Sequence, residues 1–396
     1  MQREIPFLPA DILIPGYGHE FFSTIACDQF TSEPKYWEKV SAITDGKPSA
    51  YHITLPEIYL SDNNDKYISA INKEMRNYLE NDYFTEYKNS MIYVERTLPC
   101  GKIRRGIVGA IDLEKYDYTP GSEALIRATE GTVPERIPPR VKIRKDAPLE
   151  LPHVMLLIDD PYKTVIEPLT SRSLDTIYDF DMMTGAGRLK GKLIPKPTQD
   201  TINSALKALA GDAKNPLLFA VGDGNHSLAT AKECYINNPN PKNRYALAEI
   251  VNIHDSALSF EPIYRVVFGA DTKDLAEKVQ KYFEQHNPSE CSSTMSIISA
   301  NKEIIVPCPS FPVGELQQFL EKYICANPGT SIDYIHGLES IRNLAKKDGA
   351  VGFIFEGISK NDLFPYIKEH GVLPRKSFSM GEALDKRFYM ECRKIK

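Results

Sequence analysis

Pro216-Leu217-Leu218-Phe219-Ala220-Val221-Gly222-Asp223-Gly224-Asn225-His226-Ser227 is an apolar run that breaks at two glycines, and a helical pattern follows at once. The apolar part has the length of a buried strand. Leu228, Ala229, Ala231 and Lys232 beyond it favour helix, and Asn225 or Ser227 can cap the first turn. A strand that passes through Gly222, Asp223 and Gly224 into a helix builds an anion site. The glycines let the backbone approach, and the free N–H groups and the positive dipole end face one spot. Asp223 and His226 add acid–base or metal-binding chemistry. Against this stands the plain reading of a tight turn, in which Asp223 caps the helix and His226 packs quietly. Two glycines, an Asp, an Asn and a His on one strand-to-helix turn favour function.

Around that turn the chain alternates strand-like runs (Ser90 to Arg96, Val154 to Ile158) with stretches of helical spacing (Tyr67 to Tyr78, Thr201 to Ala210). The mixture predicts an α/β (mixed α+β) fold. Proline-punctuated segments at Val133 to Pro139 and Ile194 to Pro197 read as extended loops at the rim of a site. Near residue 270 the texture changes. Asp271 to Gln285 reads as an amphipathic helix, Ser296 to Val306 as a hairpin turning at Asn301, and helix, helix, strand and helix follow to His370. The expected division is a main α/β part, 1–270, carrying the Gly222–Ser227 turn, and a C-terminal α/β part, 271–396.

The 396 residues are 42% hydrophobic, enough for two or three domains with real cores. The net charge of −5 gives no global basic field for nucleic acid. No run of 18 apolar residues is present, so no membrane span is expected. Neither an apolar signal core at the N-terminus nor a C-x-x-C pair among the seven cysteines is found, which predicts a cytoplasmic protein with free thiols.

A second chemical stretch is Ile126-Arg127-Ala128-Thr129-Glu130-Gly131-Thr132, followed by residues 133–144. Arg127, Arg136, Arg140, Lys142 and Arg144 fall within eighteen residues, and guanidinium forks suit phosphates and carboxylates. Glu130 among them stays ionised and can accept a hydroxyl proton or hold a metal. A solvated helix of paired charges is the equal alternative. The Met183 to Lys192 segment lacks P-loop spacing and reads as a hairpin turn, with Lys190 a possible phosphate contact. Cys27 in Ala26-Cys27-Asp28-Gln29-Phe30 reads as a buried thiol, not a nucleophile. Histidines 19, 52, 153, 254, 286, 336 and 370 show no metal-ligand spacing, and only the His254-Asp255 pair stands out among them. Leu373 to Glu382 combines basic and hydroxyl groups and either touches a ligand or closes the fold.

Four motifs together (26–30, 126–132, 221–231 and 373–381) resemble the bacterial family catalogued as domain of unknown function 1015. The turn is more distantly similar to the signature turn of the ParB/sulfiredoxin superfamily, which includes free-serine kinases. That resemblance implies a ParB/sulfiredoxin-like core with added N- and C-terminal α/β parts. It implies phosphoryl transfer to a small hydroxyl substrate, above all free serine, from pyrophosphate or a nucleotide (ADP or ATP), with Mg²⁺ on the donor. Carried over, Glu130 is the base, Asp223 and His226 the turn residues, and Asp223 the metal ligand. Gly222, Gly224, Asn225, Ser227, Arg127, Thr132, Arg136, Arg140 and Lys190 then hold substrate or phosphate. The chain departs from the pattern at Asn225 and Ser227, where His and Arg are usual. Two other readings stay open: a phosphoester or nucleotide hydrolase on the same site, and a ParB-like ligand-binding module without catalysis. The partners expected are a small substrate and a phosphoryl donor, with no nucleic acid and no membrane; the oligomeric state is left open.

Overall fold

The computed structural model describes residues 4–61, 63–211, 214–285, 292–300 and 302–396; His286, Cys291 and the hairpin residue Asn301 lie outside them. The chain forms two units, 1–258 together with 382–396, and 259–381.

The first unit is built on a mixed sheet of eleven strands. Those used below are β1 (Ala10–Pro15), β2 (Phe84–Thr97), β3 (Ile103–Asp112), β4 (Ile126–Ala128), β5 (Met155–Ile158), β6 (Thr176–Asp181), β7 (Arg188–Ile194), β8 (Phe219–Asp223) and β9 (Tyr245–Asn252). From Tyr116–Asp117 at one end the order runs β4, β8, β5, β9, β3, β2, β7, β6; Phe7–Leu8 pairs with β3, and β1 with β2. Strand β4 runs parallel to β8, β5 antiparallel to β8, and β9 parallel to β5.

Period-two alternation divides the central strands between two cores. Ile92, Val94, Val108, Ala110 and Leu247 join Trp37, Val40, Ile71, Met75 and Tyr78 on one face. Met91, Tyr93, Ile107, Ile111, Ala248 and Ile250 join Ile202, Leu206, Leu228 and Ala231 on the other. The covering helices are α1 (Pro34–Thr44) and α2 (Asp65–Glu80) on the first face, and α4 (Lys196–Ala210) and α5 (Asn225–Asn237) on the second; α3 (Ile137–Arg144) packs on α5. Each buried aliphatic side chain contributes roughly 1.5–3 kcal/mol. Burial on both faces is why the run at 219–221 is continuously apolar rather than alternating.

The second unit is a six-stranded sheet in which β10 (Phe260–Phe268), β11 (Ser293–Ser299), β12 (Lys302–Cys308), β13 (Ser331–His336) and β14 (Val351–Ile354) stand in the order β12, β11, β14, β10, β13, all pairs antiparallel. The helices Thr272–Gln285, Val313–Ala326, Leu338–Leu344 and Lys360–His370 belong to it, as the spacing predicts.

Two expectations need correction. The break falls at 258, not 270, because β10 pairs wholly with strands of the second unit. The chain then returns to the first unit at Glu382. There Ile25 bridges Phe388, Leu13 bridges Cys392, and Arg393–Lys394 pairs with Leu149–Glu150. The other concerns the prolines. Val133 to Pro139 and Ile194 to Pro197 are not simply extended, because Pro134, Pro138 and Pro197 occupy first-turn positions of helical segments. A helix start tolerates the missing N–H and the fixed φ. Of the described residues, no helix is long and apolar enough to cross a membrane.

Candidate functional site

Three elements converge at one edge of the first unit's sheet. Strands β4 and β8 are adjacent and parallel, with Ala128 opposite Val221, so the segment that carries Glu130 leaves the sheet at the same end as the turn at Asp223. The buried Thr129 hydroxyl donates to the Val221 carbonyl (2.7 Å) and locks that register. Further on, the Val133 N–H donates to Nε2 of His226 (3.2 Å). The two stretches, far apart in sequence, therefore lie side by side at their C-terminal ends. On the other side of β8, antiparallel pairing sets Asp223 opposite Met155, with a bulge at Gly222, and this brings His153 to the same turn.

Gly224 begins α5 at φ +81°. A Cβ there would lie 3.0 Å from Val154 Cα and 3.3 Å from His153 Cδ2, so both conformation and space require glycine. The Asp223 carboxylate accepts from the Gly224 N–H through Oδ1 (2.9 Å). The N–H groups of Asn225, His226 and Ser227 open the helix and have no acceptor within it. Three buried oxygens in these segments make no hydrogen bond: Asp223 Oδ2, Asn225 Oδ1 and Thr132 Oγ1. Buried polar atoms left unsatisfied are costly, and these three fall on the two segments that the Val133–His226 bond ties together.

The charges around the turn are unequal. Burial, ahead of the Asp28 charge beside it, pushes Asp223 above the ordinary carboxylate range, although Lys386 and His153 oppose the shift. Burial also works against an ionised Asp28, yet His153, the Gln29 amide and Lys386 outweigh it and hold Asp28 low. His226 is driven down from 6.5 to about 4 by burial and then by Arg140 and Arg136. It is a neutral imidazole at neutral pH. Because Nε2 accepts from Val133, the ring proton is assigned to Nδ1. His226 accepts a hydrogen bond here through Nε2 and is not a cation, which leaves Nδ1–H as its donor.

Asp28, His153 and the C-terminal segment are the parts that sequence reasoning missed. His153 Nε2 lies 3.5 Å from Asp28 Oδ2, and its Nδ1 lies 3.1 Å from the Tyr389 hydroxyl. That hydroxyl accepts from the Cys27 N–H (3.1 Å), so its own proton is directed to Nδ1 and the His153 Nε2–H faces Asp28. Asp28 stands inside a motif read for its cysteine. The Cys27 thiol itself is pushed up to about 12, by burial and then by Asp28, which keeps it protonated at neutral pH. His153 carried no spacing signal, since its partners lie 125 and 236 residues away in the chain.

Other expected contacts divide. Arg136 is exposed and enters no ion pair among the described residues, while Arg140 is paired with Glu57; both act on His226. Ser227 lies in the first turn of α5. Arg127 and Lys190 are not brought to the turn. The buried Arg127 guanidinium donates to Ala124 O (2.8 Å), Asn215 and Pro216 O (3.2 Å), at the start of β8 rather than its end. Lys190 lies on β7, beyond β5, β9, β3 and β2 in the strand order, and pairs with Asp179. The Met183 segment is the hairpin its composition predicts, closed by Met182 N–H to Gly187 O (2.8 Å). His254 pairs with Asp159, and Asp255 accepts from the Arg105 N–H, so both serve the fold. A separate cleft of about 650 Å³, lined by Tyr17, Lys47, His52, Glu74 and Tyr83 among others, contains none of the site residues.

No group of three or more His, Cys, Asp or Glu side chains able to hold a metal occurs among the described residues. Oxygen donors are nonetheless present, since Asp223 Oδ2 is unengaged and Asp28 adjoins it. Mg²⁺ commonly takes one or two carboxylates and completes its shell with water and substrate phosphates. The residues fit that ion only together with a phosphate.

Residues 16–322 match the family described as Protein of unknown function (DUF1015). The chain belongs to this family. The DUF1015 match takes in Asp28, Glu130, His153 and the turn at 222–227, and ends before the returning segment 382–396. Among solved structures, a conserved hypothetical protein from Pyrococcus furiosus is similar at 12% identity and a TM-score of 0.39, over 72% of this chain and 94% of that one. A free serine kinase in complex with AMP is similar at 12% identity and 0.42, over 75% and 95%. SbnI from Staphylococcus aureus, with a C-terminal truncation, is similar at 10% and 0.38, over 69% and 82%. No curated protein sequence matches the chain.

Proposed function

We propose that this DUF1015 protein transfers a phosphoryl group to the hydroxyl of a small acceptor, above all free L-serine, from pyrophosphate or a nucleotide. The observation that supports the reading is the parallel β4–β8 pairing, which brings the Glu130 segment and the Asp223 turn out of the sheet at one end, tied there by the Val133–His226 bond. Phosphoryl transfer asks chiefly for position and charge neutralisation, and each need has a residue here. The N–H groups of Asn225, His226 and Ser227 receive the oxygens of the transferred group. Glu130 accepts the proton of the attacking hydroxyl. His226, neutral, donates from Nδ1 to a phosphoryl oxygen without adding charge. Arg136 grips the donor or the acceptor's carboxylate. Asp223 would hold Mg²⁺ through its unengaged Oδ2, and the ion, when bound, supplies charge neutralisation on the donor. Thr132 Oγ1 and Asn225 Oδ1 take the remaining polar groups of the substrate.

Product analysis tests the reading. The protein is incubated with pyrophosphate, ADP or ATP and Mg²⁺, with and without serine. The proposal expects phosphoserine in stoichiometric exchange for donor. Donor breakdown at the same rate without serine, and no phosphoserine, would instead establish a hydrolase.

A further inference from the structure

The returning segment 382–396 lies outside the residues matched to the family, yet it is fixed firmly at the site. Ala26 N–H donates to Arg387 O (3.0 Å) and Tyr389 N–H to Thr24 O (2.8 Å), an antiparallel ladder centred on the Ile25–Phe388 bridge. The Ala26–Arg387 bond leaves Lys386 and the Cys27–Asp28 turn at the same end of the bridge, where the Lys386 charge acts on Asp28. The flanking residues hold it there. Arg387, 3% exposed, is ion-paired with Glu249 (3.2 Å) and Glu391, and Arg393 is paired with Glu150 (2.6 Å). The Tyr389 hydroxyl closes the ladder on Cys27 N–H and His153. Lys386 is half-buried and sits on the carboxylate side of the turn, while Arg136 and Arg140 act on the His226 side.

That placement meets a definite electrostatic need. A diphosphate brought to the helix start must approach Asp28 and Asp223, and two carboxylates repel it. A cation on the carboxylate side removes that barrier, and an ammonium on a flexible stem can turn from carboxylate to phosphate as the ligand arrives. We infer that Lys386, delivered by the C-terminal segment, is a diphosphate-binding residue of this site. The inference rests on the phosphoryl-transfer reading, and it adds to the family-matched region a residue from beyond it.

The test is calorimetric binding of inorganic pyrophosphate, and separately of ADP, to the full chain with Mg²⁺ present. Wild type, Lys386→Met, Lys386→Gln and Lys386→Arg are compared, with thermal melting to verify folding. The expected result is an affinity about tenfold to hundredfold weaker for Met and Gln, and largely restored by Arg. Wild-type affinity in a folded Met or Gln variant overturns the assignment of Lys386 alone. Weakened binding in those variants, in a protein that makes no phosphoserine, upholds Lys386 and overturns the kinase reading. Failure of wild type to bind either diphosphate overturns both.

Discussion

Replacing Gly224 by alanine attacks the turn at the point where backbone conformation and space are both committed. The residue sits at φ +81°, in the left-handed region that costs a side-chain-bearing residue about 1–2 kcal/mol. The new Cβ would stand 3.0 Å from Val154 Cα and 3.2 Å from Val154 Cγ2. The first of these is backbone immediately before β5 and cannot rotate away, which adds about 1–2 kcal/mol of overpacking. The total is about 3 kcal/mol, or ~6–12 °C in Tm for a unit of this size. Gly131→Ala is the matched control, because its φ is not in the left-handed region and no atom lies within 4 Å of its added Cβ. Differential scanning calorimetry of the two variants reads the difference. Gly224→Ala melting within a degree or two of Gly131→Ala would refute both the strain and the crowding assigned to the turn.

Three further outcomes follow from the same structure. Because His226 titrates near 4 in the fold and 6.5 when unfolded, the unfolded chain takes up its proton first. Its contribution to stability is therefore constant above pH 6.5, falls as pH drops from 6.5, and is lost below about 4. A difference curve of unfolding free energy against pH, wild type minus His226→Asn, should show that slope; a flat difference would contradict the neutral imidazole. Arg387→Met strands Glu249 and Glu391, both at most 2% exposed, without their cation, and should cost about 3–5 kcal/mol in urea unfolding. A loss below 1 kcal/mol would mean that the C-terminal segment is not anchored as described. Arg127→Met should lower stability, because it removes bonds to Ala124 and Pro216, yet leave the Kd for pyrophosphate within about threefold; a selective loss of pyrophosphate binding would return Arg127 to the ligand site.

The turn was readable because its chemistry is local. An apolar run buried on both faces, two glycines and a helix start all follow from neighbouring residues, and so did the two-strand hairpin at 183–192. The meeting of the Glu130 and Asp223 segments was half legible: both stretches stood out, but only the parallel pairing of β4 with β8 sends them out of the sheet at the same end. What escaped was non-local. Arg127 looked like a phosphate ligand by composition, yet its strand direction sends the guanidinium to the opposite end of β8. His153 and Lys386 gave no signal, since one meets its partners across 125 and 236 residues and the other arrives on a segment that leaves for a second unit and comes back. The prolines at 134, 138 and 197 were read as loop markers because a helix N-terminus and a loop share the same tolerance for proline.

The account's central claim is that Glu130 and Asp223 act together at the start of α5 on a phosphoryl donor and a small hydroxyl. Its most direct measurement is the rate of phosphoserine formation from serine and the best donor, by wild type, Glu130→Gln and Asp223→Asn. Removing a general base lowers such rates by about 10²–10⁴-fold. A fall of that order in both variants, with melting temperatures near wild type, is the predicted result; unchanged rates in both would contradict the claim.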